Sequence, residues 1–154
     1  MATWFECKVK YDKLQDDGAS VKPVTETFLV DALSFTEAES RIIEERKPFI
    51  SGDFSLTAVK RTRISEIFFD EAADRYYMVK WLIVTIDEKP TAIGKPAVEK
   101  KTAVYTLVQA STFEGALKAF MEGMSTTMAD FEVAQINETP LLDVYPAKHP
   151  GAQN

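Results

Sequence analysis

An α+β fold, with a strand-strand-helix-strand unit used twice in one chain, is what this sequence predicts, and three observations predict it. The chain matches itself: Phe28-Leu29-Val30-Asp31-Ala32-Leu33-Ser34-Phe35 aligns with Thr106-Leu107-Val108-Gln109-Ala110-Ser111-Thr112-Phe113, and the register continues with Ala38 over Ala116 and Ile42 over Phe120. After a one-residue slip, Phe54–Val59 aligns with Phe131–Ile136 and Ile64–Phe68 with Leu141–Tyr145. Each half alternates apolar and polar residues with the period of two that marks half-buried strands. Each half also holds one segment of helical periodicity that starts at a hydroxyl residue. A tandem duplication with repeats at about 3–69 and 75–146 follows. The two repeats are expected to form a single α+β domain over 1–146, pseudo-twofold, with helices packed on an antiparallel or mixed sheet. Two small abutting sheets are the alternative. Residues 147–154 have little to bury and are expected to form a flexible tail.

In the first half, Phe5, Cys7, Val9 and Tyr11 alternate with Glu6, Lys8 and Lys10, which predicts a strand from Trp4 to Tyr11. Asp16-Asp17-Gly18 marks a loop, and Val24 to Ala32 reads as the returning strand. Ser34-Phe35-Thr36-Glu37 has the form of a capping box, in which the serine hydroxyl takes the Glu37 amide and the carboxylate reaches back. Phe35, Ala38 and Ile42 share one face of the helix that follows, and Pro48 stops it. Strands are predicted at Phe54–Arg61 and Ile64–Phe69, and the polar loop Asp70–Asp74 separates the halves.

The second half repeats the pattern. Tyr76–Asp87 is the longest strand and Lys101–Ala110 its partner, joined by a segment with Pro90, Gly94 and Pro96 that reads as a mobile loop. Thr112 caps a helix with Phe113, Ala116, Leu117, Phe120 and Met124 facing inward. Gly115 stands where the first box has Glu37, so this cap lacks its reciprocal half. Strands at Phe131–Ile136 and Leu141–Tyr145 complete the chain. Phe35 and Phe113 are expected at equivalent buried positions.

Composition narrows the function classes. Of 154 residues 45% are hydrophobic, including ten Phe, which indicates a packed globule. The net charge of −6 argues against wrapping by nucleic acid, which needs a basic footprint. One cysteine, Cys7, makes no intramolecular disulfide and no multi-thiolate metal site, and its place on the apolar side of a strand predicts a buried thiol. The first residues lack the basic and apolar regions of a signal peptide. No stretch approaches the ~18 apolar residues that span a bilayer. A cytoplasmic protein without a membrane partner is expected.

Four stretches carry a family resemblance: Trp4-Phe5-Glu6-Cys7-Lys8-Val9, Leu33-Ser34-Phe35-Thr36-Glu37-Ala38-Glu39, Ile50-Ser51-Gly52-Asp53-Phe54, and Glu138-Thr139-Pro140-Leu141-Leu142-Asp143-Val144-Tyr145-Pro146. Over most of its length, to about residue 146, the chain resembles a domain-of-unknown-function family of small proteins from Bacteroidetes and their phages. The resemblance implies a bacterial or phage cytoplasmic setting and supplies no catalytic residues.

Few residues offer recognisable chemistry. His149 is the only histidine and lies between prolines in the tail, so usual zinc ligand sets are lacking. There is no glycine-rich phosphate loop and no nucleophile elbow. The acidic loops Asp16-Asp17 and Asp70-Glu71-Ala72-Ala73-Asp74 lack calcium-loop spacing and read as solvated. No catalytic residue, metal site or cofactor is therefore assigned, and a carboxylate-dependent enzyme without a motif is the third reading.

The strand Tyr76–Asp87 supplies the stronger lead, because it is apolar on both faces. Met78, Leu82, Val84 and Ile86 fill one, and Tyr77, Val79, Trp81 and Ile83 the other. With Tyr105 and Leu107 of the neighbouring strand, Tyr77 and Trp81 are expected to form an aromatic sheet surface that the helices leave open. Such a surface is covered within the chain, pairs a homodimer, or forms a platform for a ligand or nucleic acid. Lys60, Arg61 and Arg63 form a basic run able to meet phosphates. The sequence therefore points to a non-enzymatic binding or regulatory protein that works through a sheet surface and self-associates or takes a protein partner. Nucleic-acid binding is the runner-up.

Overall fold

The computed structural model describes residues 3–87 and 98–147. The chain runs β1 (Trp4–Leu14), β2 (Val21–Asp31), α1 (Phe35–Arg46), a 3-10 turn (Lys47–Phe49), β3 (Phe54–Arg61) and β4 (Ile64–Phe68). It continues through β5 (Arg75–Asp87), β6 (Val98–Ala110), α2 (Phe113–Gly123), β7 (Phe131–Glu138) and β8 (Leu141–Tyr145). The fold is α+β, with two helices and two mixed four-stranded sheets. The segment with Pro90, Gly94 and Pro96 and the tail with His149 lie outside the described residues.

Local chemistry accounts for the element ends. Between β1 and β2 the turn is closed by Gly18 at a φ of 72° and by Asp17, whose carboxylate accepts from the Ala19 and Ser20 amides and the Ser20 hydroxyl. The Ser20 and Ala19 donors hold the Asp17 carboxyl down to about 2. At α1 the Ser34 hydroxyl accepts from the Glu37 amide at 3.1 Å, while the Glu37 carboxylate accepts from the Leu33 amide at 3.3 Å. At α2 only the first half of this arrangement exists, Thr112 accepting from the Gly115 amide at 3.0 Å.

The first sheet has the order β3-β1-β2-β8 and the second β4-β6-β5-β7. Each is built on an antiparallel hairpin, β1–β2 or β5–β6, whose first strand also pairs antiparallel with the strand after the helix. Each is closed on the other side by a parallel strand, β8 on β2 or β4 on β6. Those closing strands are exchanged. Two residues link β3 to β4, yet β4 joins the second sheet; two residues link β7 to β8, yet β8 joins the first. The compact units are therefore β1–β3 with α1 and β8, and β4–β7 with α2. Alternation identifies a five-residue strand but carries no information about which sheet it joins.

Equivalent details recur in the two units. The strands paired with β1 and β5 skip a residue at Thr57 and at Ala134, and the exchanged strands skip one at Ser65 and at Leu142. The amide and hydroxyl of Thr62 donate to the Trp4 carbonyl, and those of Thr139 to the Tyr76 carbonyl. In the first unit Arg41 of α1 donates to the carbonyls of Asp31, Tyr145 and Pro146, fastening β8 beside β2.

One core lies between each helix and its sheet. In the first unit it comprises Phe5, Cys7, Val9, Phe28, Val30, Ala38 and Ile42; in the second, Tyr77, Val79, Trp81, Val108, Ala116, Phe120 and Met124. Three expectations need correction: Phe35 and Phe113 are 51% and 53% exposed, and Leu117 is 38% exposed. All three lie on the flank of their helix. The residues buried against the sheet are Ala38 with Ile42 and Ala116 with Phe120, a narrower stripe than apolarity alone suggests, although the half-exposed Phe35 still meets the Phe5 ring edge-on at 5.0 Å.

Candidate functional site

The proposed aromatic surface is divided by the β5–β6 register. Tyr77 stands opposite Val108 and Trp81 opposite Val104, on the face that α2 covers. Leu107 stands opposite Met78 and Tyr105 opposite Lys80, on the other face. Trp81 is 9% exposed, packs against Phe120 at 6.1 Å and Phe131 at 5.7 Å, and donates its indole N–H to Thr106 at 3.0 Å. Tyr77 and Leu107 are also buried, and Tyr105 is half-buried. These four residues form no common open face, because α2 packs on the Tyr77–Trp81 side, which was expected to be open, and Tyr105 and Leu107 lie on the opposite face.

The basic run is likewise separated. Lys60 stands beside Glu6, on the face away from α1. Arg61 stands beside Phe5 on the helix side, its guanidinium 5.6 Å from the Phe5 ring and 5.8 Å from the Phe35 ring. Arg63 follows in the link to β4. Alternation along a strand sends successive side chains to opposite faces, so the run makes no single patch.

Cys7 is fully buried, and burial, with a smaller contribution from the Glu6 carboxylate, pushes its thiol up to about 11. The group remains a protonated thiol near neutrality. Its folded value lies above the ordinary 9.0, so its contribution to stability is present below about pH 9 and lost as pH rises toward about 11. A thiol reagent at neutral pH is expected to label Cys7 only after denaturant is added. Labelling of the native protein at the rate of a free thiol would contradict this burial. Among the described residues no group of three or more His, Cys, Asp or Glu side chains is placed to hold a metal ion.

The first unit does have a formed concavity, between α1 and edge strand β3. A cavity of about 450 Å³ is lined by Glu39 and Ile43 of α1, Lys47 of the 3-10 turn, Gly52, Asp53, and Phe54 and Leu56 of β3. Phe54 and Leu56 pair with Tyr11 and Val9 and lie over the core, so the floor is apolar and fixed. Outside the cavity lining, Arg46 holds the end of α1 to β2 and β8, its guanidinium 4.4 Å from the Phe28 ring and 4.8 Å from the Phe49 ring and donating to the Tyr145 hydroxyl at 3.0 Å. A second cavity of about 340 Å³ is lined by Lys10, Tyr11, Asp12, Asp53, Phe54 and Ser55. Burial, together with Glu26, keeps the Tyr11 phenol above its ordinary value and therefore protonated. Asp53 and Phe54 belong to both cavities.

Among the described residues the side chains of Glu39, Lys47 and Asp53 make no ion pair or hydrogen bond. The sequence reading missed this site. Its available signal was Ile43, an apolar residue beside the buried Ile42 but off the sheet-facing stripe, 38% exposed. Gly52, at a φ of 97°, turns the chain into β3 and leaves its surroundings open.

Fold and site together define an α+β protein of two mixed sheets with one helix each and a helix–strand cavity in the first unit. A family model described as Domain of unknown function (DUF4494) matches residues 3–147, and the chain belongs to that family. No curated protein and no solved structure matches it. No helix among the described residues is long and apolar enough to cross a membrane.

Proposed function

We propose that this protein is a non-enzymatic binding module whose ligand seats in the cavity between α1 and β3. The observation that carries this reading is an apolar floor of Ile43, Phe54 and Leu56 beneath charged side chains that have no partner within the described protein. Ligand sites characteristically combine such a floor with a few polar groups that orient the ligand, and they have volumes of roughly 300–1,000 Å³. Uncommitted charges at a rim keep their hydration until a ligand displaces it, so they favour recognition over stability.

The test is amide chemical-shift mapping of the full chain against a mixed set of amphipathic fragments and short peptides. Shifts are expected to cluster at Glu39, Ile43, Gly52, Asp53 and Leu56, and Leu56→Asp should abolish them. Shifts confined to other residues, or none at all, would refute the assignment.

A further inference from the structure

Resting on that reading, we infer that the ligand is a basic, apolar segment of a partner protein whose Lys or Arg seats over Asp53. Glu39 comes from α1 and Asp53 from the residue just before β3, so two unpaired carboxylates flank one apolar floor. A cation entering here exchanges water for two carboxylates while its aliphatic stem covers Ile43 and Leu56.

The same charges set the orientation. Lys47 lines the first cavity and Lys10 the second, whereas Asp53 lines both. A ligand that spans the two cavities thus meets one ammonium and two carboxylates in each, Lys47 with Glu39 in the first and Lys10 with Asp12 in the second, Asp53 being common to both. The segment's cation belongs over Asp53, with apolar residues on either side of it. Spanning both cavities also requires a chain-like ligand rather than a single small amine. The irregularity at Thr57 interrupts the β3 edge just beyond Leu56, and such a bulge blunts strand addition. Recognition therefore rests on side chains seated at Asp53–Leu56 and not on an extended backbone ladder.

The experiment is fluorescence anisotropy on the full chain with a labelled acetyl-Leu-Val-Arg-Val-Leu-amide probe and its Arg→Glu and Arg→Ala forms, at low and high salt. The Arg probe should bind about tenfold or more tighter than the Glu probe, and the gap should shrink with salt. Asp53→Asn and Glu39→Gln should each weaken the Arg probe several-fold without moving the melting temperature, while leaving the Ala probe unchanged. Equal binding of the three probes, or indifference to Asp53→Asn, overturns the basic-segment assignment; shifts at the cavity amides would then still uphold the cavity itself. If no probe or fragment perturbs those amides, both readings fall.

Discussion

Replacing Trp81 with alanine is expected to remove about 3–5 kcal/mol of folding stability, the range for truncating a buried aromatic side chain. Its indole packs among Phe120 and Phe131, and Phe120 in turn meets Phe68 and Phe131, so the substitution opens a void at the centre of the second unit's core. Thr106, 1% exposed, loses the donor to its hydroxyl oxygen, which adds to the cost. Typical domains hold only ~5–15 kcal/mol in total, so the variant should melt far below the wild type or fail to fold. Trp81→Phe keeps a ring in the site and should lose clearly less, which preserves a measurable outcome. Denaturant midpoints decide the matter. An alanine variant as stable as the wild type would show that Trp81 is not a core residue.

Val144→Asp should produce a comparable loss and report on strand exchange. Val144 is 6% exposed and pairs with Leu29 of β2, itself 1% exposed. An unpaired carboxylate placed there costs several kcal/mol or must take up a proton. The damage should fall on the unit that β8 joins: amide hydrogen exchange should rise through β1 and β2 before β5 and β6. Leu142→Asp, at a 54% exposed position that the β2–β8 pairing skips, is the matched control and should be close to neutral. Faster exchange centred on β5–β7 instead would mean that β8 supports its neighbour in sequence.

Much of this architecture was legible in the sequence because local rules dominate it. Alternation from Phe5 to Tyr11, the Ser34–Glu37 box and the Thr112 cap each determine structure within a few residues, and every predicted helix and strand has its counterpart. What escaped was non-local. Faces of β5 separate cleanly as Met78–Leu82 and Tyr77–Trp81, but only the register with β6 and the helix contacts reveal which one the helix covers. Phe35 and Phe113 look like core residues, since periodicity does not distinguish a stripe's centre from its flank. The cavity rim escaped for another reason. Glu39, Lys47 and Asp53 are ordinary surface residues until chain reversal at Gly52 brings β3 alongside α1.

The exchanged strands also have a consequence for synthesis on the ribosome. The unit with α2 is encoded as one uninterrupted stretch, from β4 through β7, and all its strands are available once β7 has emerged. The unit with α1 begins first yet cannot fill its sheet until β8 has been translated. Domains generally acquire structure in the order in which they are made. In this chain that order is inverted for completion: β1 and β2 precede the whole second unit, yet the strand that closes the β2 edge, β8, follows it.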